Sequence, residues 1–153
     1  MKVIFLDIDG VLNCDRYIIE SGCRGVGFDP RCMTLLADIV RASGAKIVLT
    51  TSWRAHWSEN EEECDVIGKE INSVFAEYGL SVYSKTPRRA YNREEEILAW
   101  LDENPEVMHF VVIDDMWLQH YALDAHIVRT SGFRGGLCED EAMEAIEILR
   151  GSI

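Results

Sequence analysis

Proline is scarce, at 3 of 153 residues, and no stretch is of low complexity, so the chain encodes neither a Pro-rich linker nor a mainly disordered state. No apolar run approaches the roughly 20 residues of a membrane-spanning helix. The opening MKVIFLDIDG turns acidic after six residues, unlike a secretory leader. The expectation is a soluble, cytoplasmic protein with no membrane partner. Positive charge is also in short supply: 15 Lys and Arg face 27 Asp and Glu, a net charge of −12. That balance excludes an extended nucleic-acid footprint and leaves room only for a local basic patch. The five cysteines, Cys14, Cys23, Cys32, Cys64 and Cys138, are odd in number and show no CxxC or other close pairing. They read as reduced thiols rather than a disulfide framework or a zinc site. The four histidines, His56, His109, His120 and His126, show no metal-ligand spacing either.

What is present is apolar matter, 48% of the residues, enough for one core, so residues 1–153 read as a single domain. Val3 to Leu6, Lys46 to Thr50 and Val107 to Ile113 are short β-branched runs of the kind that form strands buried on both faces. A shorter strand is expected at Leu80 to Tyr83, and His126-Ile127-Val128 follows the third run. Between them lie helical patterns. Asp29-Pro30 supplies an N-cap and a first-turn Pro for a helix over about 30–43 that stops at Gly44. Ser58-x-x-Glu61 resembles a capping box and opens a helical region to about Tyr78, broken near Gly68. Arg93 to Asn104 and Glu139 to Leu149 complete the set. Residues 10–28, rich in Gly and without a period, read as a loop or small flap. Strands alternating with helices predict an α/β fold, a doubly wound parallel sheet with helices on both faces.

In such sheets ligands sit beyond the carboxyl ends of the strands. Here those ends carry Asp7 and Asp9, then Thr50, Thr51 and Ser52, then Asp114 and Asp115. Two pairs of acids brought together repel unless a cation neutralises them, and all-oxygen donors suit a hard divalent ion such as Mg²⁺. Hydroxyls and an arginine nearby complement phosphoryl oxygens, so the set suits a phosphate ester.

Asp7-Ile8-Asp9-Gly10-Val11 after an N-terminal strand resembles the first motif of the haloacid dehalogenase (HAD) superfamily. Thr50/Thr51 resembles its second motif and Ile113-Asp114-Asp115 its fourth. Arg93, with Lys85 as a rival, fits the third. Thr51-Ser52-Trp53-Arg54 with Glu95 to Leu101 further resembles small phosphatase-like domains of nucleic-acid repair proteins, and Val112 to Asp115 is similar to the phosphatase half of phage polynucleotide kinase. Glu94 stands where that group has Gly.

The resemblance implies a HAD-like Rossmannoid three-layer sandwich and a phosphatase. In it Asp7 is the nucleophile that forms an aspartyl-phosphate, and Asp9 is the general acid and base. Mg²⁺ is held by Asp7, Asp9 through its carbonyl, and Asp114 or Asp115. Thr50 or Thr51, with Arg93 or Lys85, steadies the phosphoryl group, and Gly10, Ser52 and Arg54 contact substrate, Arg54 serving equally well as a cap for a carboxylate. The segments 10–28 and 54–85 leave no room for a sizeable cap, which implies large phosphorylated substrates such as nucleic-acid ends or phosphoproteins, besides nucleotides. Trp53, Trp57, Tyr17 and Tyr91 are candidates to stack on a base, and Arg16, Arg24, Arg54, Arg88 and Arg89 to meet phosphates. Two competing expectations remain: an acidic binding or regulatory domain on the same fold without turnover, and a phosphotransferase or receiver-like domain using the same aspartate.

Overall fold

The computed structural model describes residues 1–22, 25–88 and 92–151. The calls on Cys23, Arg24, Arg89 and Tyr91 therefore lie outside the described residues. Five strands, β1 (Lys2–Leu6), β2 (Lys46–Leu49), β3 (Val82–Lys85), β4 (His109–Asp114) and β5 (Ile127–Arg129), form one all-parallel sheet in the order β3-β2-β1-β4-β5. The helices are α1 (Asp15–Ser21), α2 (Pro30–Ser43), α3 (Val66–Glu77), α4 (Arg93–Glu103) and α5 (Glu139–Arg150).

This order fixes the layers. The chain moves outward from β1 to β2 to β3, then jumps back across the sheet to β4. Right-handed crossovers put α2 and α3 on one face and α4 on the other. The core divides accordingly. Ile4, Leu6, Ile47, Leu49, Val111 and Ile113 face α2, α3 and α5. Val3, Phe5, Val48 and Val112 face Ile97 and Trp100 of α4. Phe5 is wholly buried, with Trp100 and Phe110 edge-on at ring-centroid distances of 5.4 and 5.9 Å. Burying one such side chain stabilises the fold by about 1.5–3 kcal/mol.

Local differences from the sequence expectations have plain causes. The segment 10–28 is not wholly loop: α1 forms within it, with Cys14 Sγ accepting from Tyr17 N–H and Gly22 closing it at φ 62°. None of its seven residues is buried, so it carries no apolar stripe to read. Ser58 does not cap a helix. Asn60 caps a 3-10 turn over Glu61–Glu63, and α3 starts later, where the Asp65 carboxylate accepts from Ile67 and Gly68 N–H at 2.9 and 3.1 Å. Gly68 does not break that helix. The His56 carbonyl lies where its Cβ would be, so glycine lets the preceding 3-10 turn, Ser52–His56, press onto α3. β3 is displaced toward Lys85 because Leu80 turns into the core before the strand begins.

Candidate active site

Strand parity builds the site. Side chains alternate across a strand, and Phe5, Val48 and Val112 face α4. Two residues on, Asp7, Thr50 and Asp114 follow the same parity, and the register Leu6 to Leu49 and Ile113 puts them in one row across the three central strands. Asp7 N–H donates to Ile113 O and Thr50 N–H to Leu6 O, each at 3.0 Å, continuing the ladder to the row. β1 and β4 are also where the strand order reverses, the crevice in which such sheets bind ligands.

α4 begins on this face, and its first residue reaches the row. Arg93 Nη1 lies 2.5 Å from Asp114 Oδ2 and 3.3 Å from Asp7 Oδ2. Asn92 starts the helix by accepting from Glu95 N–H, so the guanidinium projects from a fixed first turn. Ligand atoms of Asp7, Asp114 and Asp115 all lie within 4.8 Å of one another. Asp7 is 4% exposed and Asp114 fully buried. One guanidinium thus faces three carboxylates.

The consequence is electrostatic. Burial, then the Asp114 carboxylate, pushes the Asp7 carboxyl up to about 6, against the pull of Arg93. Burial also raises Asp114, despite Arg93, and raises Asp115, which faces Asp7. Burial works against the charge on Arg93, but Asp114 and Asp7 outweigh it and hold the guanidinium charged. Oxygen donors crowded beyond what their one counter-ion among the described residues neutralises fit a hard divalent cation. Gly10 shapes the same spot: with φ 78° it turns the chain, and a Cβ there would meet the Asp115 carboxylate.

Asp9 is placed differently. It is exposed and stands outside the acid group, with Oδ2 accepting from the Trp53 indole N–H at 3.1 Å and Oδ1 from Asn13 Nδ2 at 3.3 Å. Thr50 Oγ1 is buried without a hydrogen-bond partner, and Thr51 Oγ1 accepts from Trp53 N–H at 3.3 Å.

Arg54 and Lys85 are drawn away from the acids. Arg54 is buried, with Nη2 donating to Glu96 Oε2 at 2.7 Å and Nη1 to the carbonyls of Thr50 and Thr51 at 2.5 and 3.1 Å. Instead of meeting a phosphate, its guanidinium clamps the backbone beneath the threonines. Lys85 Nζ donates to the Arg54 and Trp57 carbonyls at 3.0 and 2.5 Å, so the cation beside Asp7 is Arg93. Trp57 is buried with its N–H on Asn72, which removes it as a stacking platform. Trp53 instead joins Asp9 to the core ring of Phe28, with centroids 6.0 Å apart.

The sequence reading missed two aromatics on this end of the sheet. Trp117 follows Asp114-Asp115 and is 68% exposed, and Phe133, in the 3-10 turn Gly132–Arg134, is 100% exposed. The signal was an aromatic two residues past a strand-ending acid pair, and another in a Gly-rich turn. Cys138, Asp140 and Glu141 also gather ligand atoms within 4.8 Å, but Arg134 already lies 3.5 Å from Asp140 and 3.8 Å from Glu141. The thiols Cys14, Cys32, Cys64 and Cys138 are free, and burial pushes Cys32 up to about 12, which leaves it unreactive. No helix among the described residues is long and apolar enough to cross a membrane.

Comparison with curated proteins gives no match. Comparison with family models matches residues 3–142 to the HAD domain in Swiss Army Knife RNA repair proteins. That span holds the five described strands but for Lys2 at the start of β1, and with them the acid row, Arg93 and both threonines. The chain belongs to this family of HAD domains.

Proposed function

We propose that the domain is a Mg²⁺-dependent phosphomonoesterase that works through an aspartyl-phosphate on Asp7 and removes a terminal phosphate from a nucleic acid. The observation that carries this reading is the charge imbalance at the buried Asp7 and Asp114 and the half-buried Asp115, around what is among the described residues the single guanidinium of Arg93. A structural ion cluster would match its charges, whereas this one leaves negative charge for a divalent cation to offset. The nucleic-acid substrate rests on the family, whose members are described as domains of RNA repair proteins.

Asp7, Asp114 and Asp115 would hold the Mg²⁺, which when bound offsets their charge and polarises a phosphoryl oxygen. The Asp7 carboxylate attacks phosphorus, forming an Asp7 O–P bond as the ester P–O bond breaks. Asp9 gives its proton to the leaving oxygen. A water that returns a proton to Asp9 then attacks the same phosphorus, releasing inorganic phosphate and restoring the Asp7 carboxylate. Arg93 and a hydroxyl from Thr50 or Thr51 steady the phosphoryl oxygens throughout. Trp53 and Asn13 aim Asp9, and Arg54 fixes the threonine backbone from below.

The test is phosphate release with Mg²⁺ and with EDTA from an aryl phosphate, a mononucleotide, 5′- and 3′-phosphorylated oligonucleotides and a phosphopeptide, for wild type and Asp7→Asn. Release that needs both Mg²⁺ and Asp7, fastest on an oligonucleotide, is expected. No release from any substrate, or equal release by Asp7→Asn, would overturn the reading and favour a binding domain.

A further inference from the structure

Two clefts flank the acid row, each with an exposed aromatic at its lip. One, of about 510 Å³, runs between α1 and the Gly132–Arg134 turn, with Asp9, Gly10 and Asp115 in its wall and Phe133 at its edge. The other, also about 510 Å³, runs from Ser52 and Arg93 along the start of α4 to Trp117. Asp9 distinguishes them. Resting on the general-acid role proposed above, the leaving oxygen must come within hydrogen-bond reach of Asp9, and Asp9 lines the first cleft, not the second.

We infer that the α1-side cleft is the leaving-group subsite and that Phe133 is its stacking platform for the base of the terminal nucleoside. Phe133 is anchored beside the chemistry. Its turn begins at Gly132, where a Cβ would lie 3.7 Å from Gly10 Cα, and just before it Thr130 Oγ1 donates to the Gly10 carbonyl at 2.7 Å. Its ring is wholly exposed, and among the described residues no ring or cation stacks on it. Trp117, by contrast, is covered on one face by the Arg129 guanidinium, 4.6 Å from its centroid. The cleft's polar wall suits a nucleoside. Asn13 and Asp15 offer acceptors to sugar hydroxyls and base amino groups, while the negative charge of Asp15 repels a second phosphate. One nucleoside therefore enters, and a following phosphodiester stays outside, near Arg16 at the rim.

The experiment measures KM and kcat of wild type, Phe133→Ala, Phe133→Trp and Trp117→Ala on a terminally phosphorylated oligonucleotide, a mononucleotide and β-glycerophosphate. Phe133→Ala should raise KM about five- to tenfold on both nucleoside substrates, the loss of one stacked base, with β-glycerophosphate unchanged and Phe133→Trp near wild type. A rise on the mononucleotide as well as the oligonucleotide shows that the terminal nucleoside alone fills the cleft. A rise confined to the oligonucleotide would place a later base on Phe133 and overturn the assignment. So would the same loss on β-glycerophosphate, no loss at all, or the loss appearing in Trp117→Ala. Wild-type turnover of β-glycerophosphate tests the phosphatase reading separately. If turnover is absent, calorimetric titration of the unphosphorylated oligonucleotide into wild type and Phe133→Ala still reads the subsite, and equal affinities would refute it.

Discussion

Two buried charge clusters lie on the same face of the sheet and share α4, yet they are built on opposite terms. Arg54 and Glu96 are one cation and one anion at 2.7 Å, and the remaining Nη of Arg54 is spent on two carbonyls. Among the described residues, Arg93 is the one cation paired with the acids Asp7, Asp114 and Asp115. The first cluster balances its charge, although Arg54 Nε is buried without a hydrogen-bond partner. The second carries excess negative charge in a place where burial makes that charge expensive. The difference teaches which of two similar-looking arginines near a strand end holds the backbone and which faces a ligand: the count of partners decides, not the residue type.

The comparison can be broken from either side. The largest effect is expected at Asp7: Asp7→Asn should lower phosphate release by about 10⁴-fold or more, as loss of a nucleophile does, with the circular-dichroism spectrum unchanged. Glu96→Ala should act on stability instead. Stranding the buried Arg54 should cost about 3–5 kcal/mol, read by denaturant unfolding, and activity should fall only as the threonine backbone loosens.

The third prediction follows from protonation. Asp7 is raised from 3.8 to about 6 on folding, so between those values the folded state holds more protons than the unfolded one. The stability this group contributes is present below about 3.8 and lost as pH rises through about 6. In EDTA the loss from this group should be on the order of 2–3 kcal/mol, and the pH slope should be shallower in Asp7→Asn, where Asp114 and Asp115 still titrate above their ordinary range. The smallest effect belongs to Trp53→Phe, which removes the N–H held on Asp9 and keeps the ring against Phe28. It should lower kcat about tenfold on alkyl phosphates, whose leaving oxygen needs the proton, and less than twofold on p-nitrophenyl phosphate.

Much of this was legible in the chain itself. Buried strands announce themselves by unbroken β-branched runs, and acids at their ends stand out because nothing else in a parallel sheet calls for them. Asp7, Asp114 and Asp115 were readable for that reason, and the capless α/β fold with them. For Arg54 the sequence left substrate contact and a carboxylate partner equally open, and could not name Glu96, which is 42 positions away and one of three consecutive glutamates. Lys85 was a credible rival to Arg93 until β3 and the loop after β2 were side by side. α1 lacks a buried face and so lacks a period. Phe133 and Trp117 escaped notice because closeness to an acid pair or a Gly-rich turn does not tell an exposed aromatic from a packed one; only the closed fold shows that they rim the clefts beside the acids.

The central claim is that the acid row is left unbalanced for a cation. Thermal unfolding of wild type and Asp7→Asn, each in EDTA and in Mg²⁺ at pH 7.5, tests it most directly. The account predicts that in EDTA Asp7→Asn melts above wild type, because one repelling charge is gone, and that Mg²⁺ raises the wild-type Tm while shifting the variant little. A variant that melts below wild type in EDTA, with Mg²⁺ moving both proteins equally or neither, would contradict it.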